Sequence, residues 1–477
     1  MSLFFCIEIN ALIFSVGILF VSLLLNAFSV RQSYSLFLTL LLALNLFLSG
    51  IFFPKNYSLF SNFILHSLPS ALFAKFVCLL IFILFYAFLL ISKYSFDEFE
   101  AERSFLYTIV LISGLFLAGS QDALTIFIFL EIISLASFGI IALAKTRYSY
   151  EAATKYLIFS SIASCFFITS FIFMGSSFFR LDSGVISHYA IFFPSHLAIF
   201  QTVLPDVLLA GAFFMKFGLG PFSSWLVDAY EAAKYRDFVF LSTVGKIPLV
   251  IAFCQSYTAI FSEFVKYFFV IFLFFFAVFA SVLMVKQKKL RRFFAYSSLF
   301  NFALGFILFF ASASFHQVML KYFFFYAVLA LLGFIAFDLY RANGSDAAEP
   351  TFINELGSYG RCAATTCFAI TVILNSGLPP LGIFLIKASA FGFFIIGAGS
   401  ANFSFALLTS FFFLVLSIAN MFAYFRLFAK VLFFENASAR IKPLAVSPYL
   451  LFNQVEFFFC LLFVFVPLNY YWLYIIA

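Results

Sequence analysis

Long uninterrupted runs of apolar residues recur along the whole chain, separated by short polar segments. About 20 apolar residues allow an α-helix to cross the hydrocarbon core of a bilayer. The runs are continuous and lack the ten-residue alternating segments of a membrane β-barrel. The pattern therefore predicts an all-α polytopic membrane protein with about fourteen transmembrane helices, near residues 9–27, 34–53, 72–93, 104–119, 121–144, 154–177, 201–232, 237–257, 265–285, 293–314, 318–340, 362–398, 403–430 and 449–476.

Two of these spans contain a similar Gly/Pro-rich motif, GLGPF at 218–222 and GLPPL at 377–381. Proline removes a backbone donor and clashes with the preceding turn, so both helices should break there. Broken helices in corresponding halves indicate inverted repeats around an ion path. We therefore predict two inverted five-helix repeats, flanked by an N-terminal three-helix segment and a C-terminal helix, with the four parts covering residues 1–103, 104–257, 258–430 and 431–477.

Composition and charge support this class. Hydrophobic residues make up 65% of the chain and charged residues 10%, against roughly 25% charged residues in soluble domains. Of the 27 Lys and Arg residues, 19 lie near loops on the side opposite the termini, among them Arg103 and Arg236. Basic residues concentrate on the cytoplasmic side of membrane proteins. The basic loops should therefore face the cytoplasm, or the matrix in a mitochondrion, and the net charge of +7 does not indicate a nucleic-acid partner.

Other compositional features bear on location and cofactors. Phe accounts for 84 of 477 residues, which we interpret as drift toward T-rich codons, as in an organellar genome. The seven cysteines form no C-x-x-C pair, and metal sites commonly show such spacing. The chain also lacks a G-x-G-x-x-G or P-loop signature. We therefore expect no metal and no bound cofactor in this chain.

Four ionisable residues in the predicted spans are enclosed by apolar sequence, and such residues usually mark ion pathways because they are costly in lipid. Burial disfavours the charged form of a lysine or a glutamate, whereas a nearby opposite charge favours it. A Glu–Lys pair that separates and re-forms could thus take up and release a proton, which arginine could not do. We predict a proton relay, although structural salt bridges or snorkelling lysines are the alternative; its members are Glu131, Lys216, Lys246 and Lys387.

Several motifs occur in a characteristic order between about residues 120 and 390. They are LEIISL at 130–135, EAATKY at 151–156, DAYE at 228–231, LSTVGKI at 241–247 and LRRFFAYSS at 290–298. With these motifs the chain resembles the antiporter-like membrane subunits of respiratory complex I, NADH:ubiquinone oxidoreductase, and most closely the subfamily called subunit 2.

The resemblance implies a proton-translocating subunit of the inner mitochondrial membrane, with its basic loops facing the matrix. Glu131 and Lys216 match the family's ion pair, Lys246 its central lysine and Lys387 its terminal lysine. Lysine at that last position is typical of subunit 2, whereas subunit 4 has Glu. The implied partners are neighbouring membrane-arm subunits and the lipid bilayer. NADH, FMN, iron–sulfur clusters and ubiquinone are expected in partner subunits only.

Two departures and two alternatives accompany the resemblance. The family's G-A-P-T-P loop is replaced by residues 232–236, and the proline before its central lysine is Gly245. Both changes concern the turn between the seventh and eighth predicted spans. The alternative functions are a membrane subunit of a multisubunit cation/proton antiporter and a passive structural membrane subunit.

Overall fold

The computed structural model describes residues 78, 81–85, 100–118, 120, 123–173, 198–256, 263–311, 316–342, 353, 363–377 and 403–433. Every regular element with defined bounds in these ranges is a helix. The α-helices are α1 Glu100–Leu117, α2 Ala123–Ala142, α3 Arg147–Phe173, α4 Ala198–Phe217, α5 Ser223–Ala232, α6 Tyr235–Ser242, α7 Ile247–Ser256, α8 Glu263–Lys286, α9 Leu290–Ala311, α10 His316–Ala342, α11 Ala363–Ser376 and α12 Phe403–Phe433. Two short 3₁₀ helices cover Gly220–Phe222 and Val244–Lys246.

Seven helical segments in the described ranges are long and apolar enough to cross a membrane. They are Ala123–Ala142, Arg147–Phe173, Val203–Ala232, Tyr235–Cys254, Tyr267–Lys286, Leu290–Phe310 and Phe413–Leu432. The predicted all-α membrane class is thus confirmed. The predicted spans 9–27, 34–53 and 449–476 lie outside the described residues, so the total of fourteen crossings stays a prediction.

The chain divides into two compact units at Val265, within α8. In the first unit, α2 packs between α1 and α3, while α3 also contacts α4 and α5, and α7 packs on α1. In the second unit, α10 packs between α9 and α11, and α12 contacts both α9 and α11. The proposed inverted-repeat relation stays a prediction.

The first predicted break is present between α4 and α5. Gly218 has a φ of +72°, the left-handed conformation that glycine adopts most easily. The N–H of Leu219 donates to the carbonyl of Phe214 at 2.8 Å, and that of Gly218 donates to Met215 at 3.1 Å. These two bonds form a Schellman motif, which ends α4 at Phe217.

The second predicted break begins where expected. Helix α11 ends at Ser376, and Gly377 has a φ of +80°. Residues 378–398 of this span lie outside the described residues, so the structure describes only the start of the break.

A third break was not predicted. We expected one helix over 237–257, but α6 ends at Ser242 and α7 begins at Ile247, with the 3₁₀ helix between them. Pro248 explains the interruption, because it has no N–H for the carbonyl four residues earlier and its ring crowds that carbonyl. Lys246 therefore lies in a 3₁₀ helix and not in the continuous α-helix that was predicted.

The two sequence departures leave ordinary backbone geometry. Ala233 and Lys234, between α5 and α6, have φ values of −65° and −63° with ψ of 152° and 156°. These are polyproline II values, which proline also favours. A Cβ added to Gly245 would have its nearest neighbour, the Phe240 carbonyl oxygen, at 3.6 Å. The turn therefore keeps a proline-like path without proline.

Candidate functional site

The structure brings Glu131 and Lys216 together across two helices. Glu131 lies near the middle of α2, and Lys216 lies in the last turn of α4, directly before the first break. Lys216 Nζ is 3.0 Å from Glu131 Oε1. The lysine side chain is 4% exposed and the glutamate side chain 30% exposed in the isolated chain. The two residues form an ion pair with one deeply buried partner.

Serine hydroxyls complete the surroundings of this pair. Lys216 Nζ also donates to Ser134 Oγ at 3.1 Å and to Ser160 Oγ at 3.4 Å. The hydroxyl of Ser164 donates to Glu131 Oε1. A lysine ammonium group has three N–H donors, and Glu131, Ser134 and Ser160 supply three acceptors. The site is therefore shaped for the protonated form of Lys216.

These three serines were not among the predicted site residues. Ser160 and Ser164 are four residues apart on α3, so they lie on the same face of that helix. The sequence signal that could have identified them was the spacing of hydroxyl side chains on one face of an apolar span. It was weak, because serine in an apolar helix commonly bonds to its own backbone, as Ser134 does to the Leu130 carbonyl at 2.8 Å.

Lys246 reaches the end of the broken helix α4. It is 3% exposed, and its Nζ donates to the carbonyl of Phe217 at 3.3 Å. Its Nζ also lies 5.5 Å from the centre of the Tyr230 ring, within the range of a cation–π contact. The third break places Lys246 beside the residue that directly follows Lys216.

Lys387 lies outside the described residues, so the structure does not place the predicted last member of the relay. Within the described ranges, no three His, Cys, Asp or Glu side chains come together as metal ligands would.

An exposed charge network joins α3 to α5. Lys155 Nζ lies 2.8 Å from Glu151 Oε1 and 3.0 Å from Asp228 Oδ2. The hydroxyl of Tyr148 donates to Asp228 and Glu231 at 3.4 Å. Exposed pairs of this kind contribute little to stability. The EAATKY and DAYE motifs therefore meet at the protein surface.

Two arginines that we predicted near loops lie in the first turns of helices and are buried. Arg103 is in α1 and Arg236 is in α6, with exposures of 1% and 8%. Arg103 Nε lies 3.0 Å from Oδ1 of Asp237, which is fully buried. This pair was not predictable from the sequence, because its members are far apart in the chain and each is an ordinary residue at a helix end.

The second unit contains a chain of neutral polar contacts. The Tyr322 hydroxyl donates to Asn301 Oδ1 at 3.1 Å, and Asn301 Nδ2 donates to the Ser297 carbonyl at 2.9 Å. Ser297 and Tyr424 also form a hydroxyl–hydroxyl bond. Asn420 Nδ2 donates to the carbonyl of Ser376, the last residue of α11, at 3.4 Å. A side chain from another helix thus reaches the broken helix end in this unit as well.

The known proteins that are similar to this chain in sequence or fold include subunits of respiratory complexes. NADH-quinone oxidoreductase subunit N of Campylobacter jejuni strain RM1221 is 24% identical over 377 residues, covering 74% of this chain and 76% of that protein. A chain of respiratory complex I from Thermus thermophilus superposes with a TM-score of 0.70 at 19% identity, covering 94% of this chain and 96% of its own.

A chain of the membrane-bound sulfane sulfur reductase, an archaeal respiratory membrane complex, superposes with a TM-score of 0.75. It is 17% identical and covers 97% of this chain and 95% of its own. At these identities the structural likenesses establish the fold alone. The family described as NADH:quinone oxidoreductase/Mrp antiporter, TM, matches residues 120–417. Because this match spans more than half of the sequence, the chain belongs to the NADH:quinone oxidoreductase/Mrp antiporter family of transmembrane subunits.

Proposed function

We propose that this chain is a proton-translocating membrane-arm subunit of a respiratory NADH:quinone oxidoreductase. Electron transfer from NADH to quinone would take place in partner subunits, which would hold the FMN and iron–sulfur clusters. Glu131, Lys216, Lys246 and Lys387 would carry protons through this chain. Neighbouring antiporter-like subunits of the membrane arm would be its partners.

The observation that carries this proposal is the environment of Lys216. A buried lysine needs compensation for the lost hydration of its charge. Here a carboxylate and two hydroxyls provide that compensation, and the whole site lies beside a helix break. If Glu131 moved away, Lys216 would keep two neutral acceptors and lose its counter-charge. Such a change would favour release of a proton.

Lys246 is suited to the next step of the relay. Its ammonium group is bonded to the carbonyl at the end of α4, and the partial negative charge of a helix C-terminus stabilises a cation. Because Phe217 directly follows Lys216, movement of this helix end would affect both lysines. This contiguity is the reason for placing Lys246 after Lys216. Lys387 is included because it follows the second predicted break in an apolar span and matches the terminal lysine of the family that the chain resembles.

The cation/proton antiporter is the second candidate, because the family includes Mrp subunits. The fold does not separate the two, since a chain of the Mrp complex from Dietzia sp. DQ12-45-1b superposes with a TM-score of 0.71 and the complex I chain with 0.70. Sequence favours the oxidoreductase, because curated relatives covering three quarters of the chain bear that name. Those relatives are called subunit N, and we propose that this chain is the counterpart of subunit 2.

The inner mitochondrial membrane, with basic loops facing the matrix, is our proposed location. It rests on the Phe-rich composition and the distribution of basic residues, whereas the named relatives are bacterial. Sequencing the DNA around the gene tests it directly. A bacterial chromosomal context would overturn the mitochondrial location and leave the rest of the proposal intact.

The deciding experiment for function is purification of the native complex that contains this chain. We expect NADH oxidation with quinone as acceptor, sensitive to a proton gradient after reconstitution into vesicles. Na⁺/H⁺ exchange without NADH oxidation would instead identify the antiporter. A complex that neither oxidises NADH nor moves ions would favour the passive structural role.

A further inference from the structure

Helix α1 contacts both halves of the broken span that carries Lys246. On the α6 side, Arg103 Nε lies 3.0 Å from Asp237 Oδ1, and both side chains are buried. One turn further along α1, the Tyr107 hydroxyl donates to the same carboxylate oxygen. A cation and a hydroxyl on one face of α1 therefore hold the first turn of α6.

Aromatic packing extends this contact toward the break. The Tyr107 ring stacks on Phe240 with a centroid distance of 4.2 Å and an interplanar angle of 30°. Phe85 places its ring against both, at 5.3 Å from Tyr107 and 5.1 Å from Phe240. These rings fix the position of α6 along α1, because a shift would separate the stack as well as the ion pair.

On the other side of the break, α1 meets α7 at Gly114. A Cβ added there would lie 2.7 Å from Pro248 Cγ, so the α1 backbone is in close contact with the proline that interrupts the span. Gly114 and Tyr107 are seven residues apart, which places them on the same face of α1. Lys246 lies between the two contacts, in the 3₁₀ helix.

We propose that Arg103, Tyr107 and Asp237 are positioning residues for Lys246. Helix α1 packs against the span on both sides of the break, and the buried ion pair fixes the position (the register) of α6 along α1. That register holds Lys246 Nζ at the carbonyl of Phe217. This inference rests on the proposed function, because it assigns the cluster a role in proton transfer through Lys246.

A role in stability alone would not need charged residues. Replacing a buried ion pair by apolar residues of similar volume is often neutral or stabilising. The Tyr107 hydroxyl instead donates a directional hydrogen bond to the Asp237 carboxylate, and the Arg103 guanidinium pairs by charge with the same oxygen. Together these two contacts select one register. A misplacement of about 1 Å at a reacting group can reduce a rate by on the order of 10²-fold. A small shift of α6 along α1 should therefore affect proton transfer through Lys246 more than it affects the packing of the helices.

The test compares three variants in the assembled, reconstituted complex. Asp237→Asn removes the charge and keeps the shape. The double variant Arg103→Met/Asp237→Leu replaces the pair by apolar side chains. Asp237→Glu keeps the charge and should restore function in part. The measurements are the amount of assembled complex, protons translocated per NADH oxidised, and the pH profile of translocation.

We expect Asp237→Asn and the double variant to assemble but to lose about tenfold or more in proton translocation rate, with an altered pH profile. Glu151→Gln is the matched control, because it neutralises a carboxylate in an exposed ion pair, and it should leave all three measurements unchanged. Wild-type translocation and pH profile in the assembled double variant would overturn the inference.

Two further variants separate the possible failures. Tyr107→Phe removes only the hydroxyl and keeps the ring against Phe240, so it provides a result even if Asp237→Asn fails to assemble. Unchanged translocation and pH profile in Tyr107→Phe, together with loss of assembly in Asp237→Asn, would mean that the cluster only stabilises the fold. Normal pumping in Lys246→Met would instead refute the relay role proposed for Lys246, on which this inference rests.

Discussion

Replacing Glu131 by Gln should impair proton translocation far more than replacing it by Asp. Gln keeps the length and the hydrogen-bonding capacity of the side chain but removes its charge. Asp keeps the charge on an arm that is shorter by one carbon–carbon bond. The two substitutions therefore separate the electrostatic role of position 131 from its packing.

The distance between the two charged groups sets the expected magnitude. At 3.0 Å and an effective dielectric constant of about 20, the direct attraction is about 5 kcal/mol. Asp would lengthen the distance by about 1.5 Å, which leaves about two thirds of that attraction. Removing one member of a buried pair costs about 3–5 kcal/mol. Because Glu131 is 30% exposed, we take the lower end, about 3 kcal/mol, which corresponds to roughly 100-fold in population.

The assay is proton uptake by vesicles containing each variant complex, normalised to the amount of assembled complex and to NADH oxidation. We expect Glu131→Gln to lose at least about tenfold in translocation, and Glu131→Asp to retain most of it. Glu151→Gln, at an exposed carboxylate paired with Lys155, controls for loss of charge in general. Equal translocation in the Gln and Asp variants would refute the role of the charge.

Four further outcomes are expected from variants at Lys246 and at three glycines. Lys246→Met keeps the apolar stem but removes the amine, so the complex should assemble with strongly reduced coupled turnover, measured as protons per NADH. Gly305→Ala should lower the thermal stability by about 1–3 kcal/mol, because its Cβ would lie 2.3 Å from the ring of Phe323. Gly211→Ala should be neutral or stabilising by up to about 1 kcal/mol, since the added Cβ would be 3.5 Å from its nearest neighbour, the Phe166 ring. Equal melting temperatures for Gly305→Ala and Gly211→Ala would contradict this expectation. Gly218→Ala should lower the stability by about 1–2 kcal/mol because of its positive φ, and it should also reduce proton translocation. A wild-type translocation rate with an unchanged melting temperature would contradict the geometry of the first break.

The helix plan was largely predictable, because apolar runs of membrane length dominate the sequence. The break at Gly218 was predictable from Pro221 and its flanking glycines. The break before Ile247 was not predicted from Pro248, because this proline lies in a run that is apolar on both sides. A single proline does not reveal whether a helix kinks or changes to a 3₁₀ turn.

The candidate site was predictable only in its charged members. Glu131 and Lys216 were identifiable because charged residues are rare inside apolar spans. For the same reason, few residues could serve as the partner of Glu131. The serines that complete the site were not identifiable, since hydroxyls are common in membrane helices and satisfy themselves locally. Asp237 and Arg103 were missed because their partnership depends on how α1 crosses α6, which no periodicity in either segment specifies.

The end of α4 also has a consequence for how many protons the first unit can hold. A helix C-terminus carries about half an elementary negative charge. Lys216 lies in its last turn, and Lys246 binds its final carbonyl, so the two amines share one partial charge. Protonation of both amines at once would place two like charges at one helix end, and the partial charge of that end offsets their repulsion only in part. We therefore expect occupancy of the two lysines to be anticorrelated, so that a proton arriving at one promotes departure from the other.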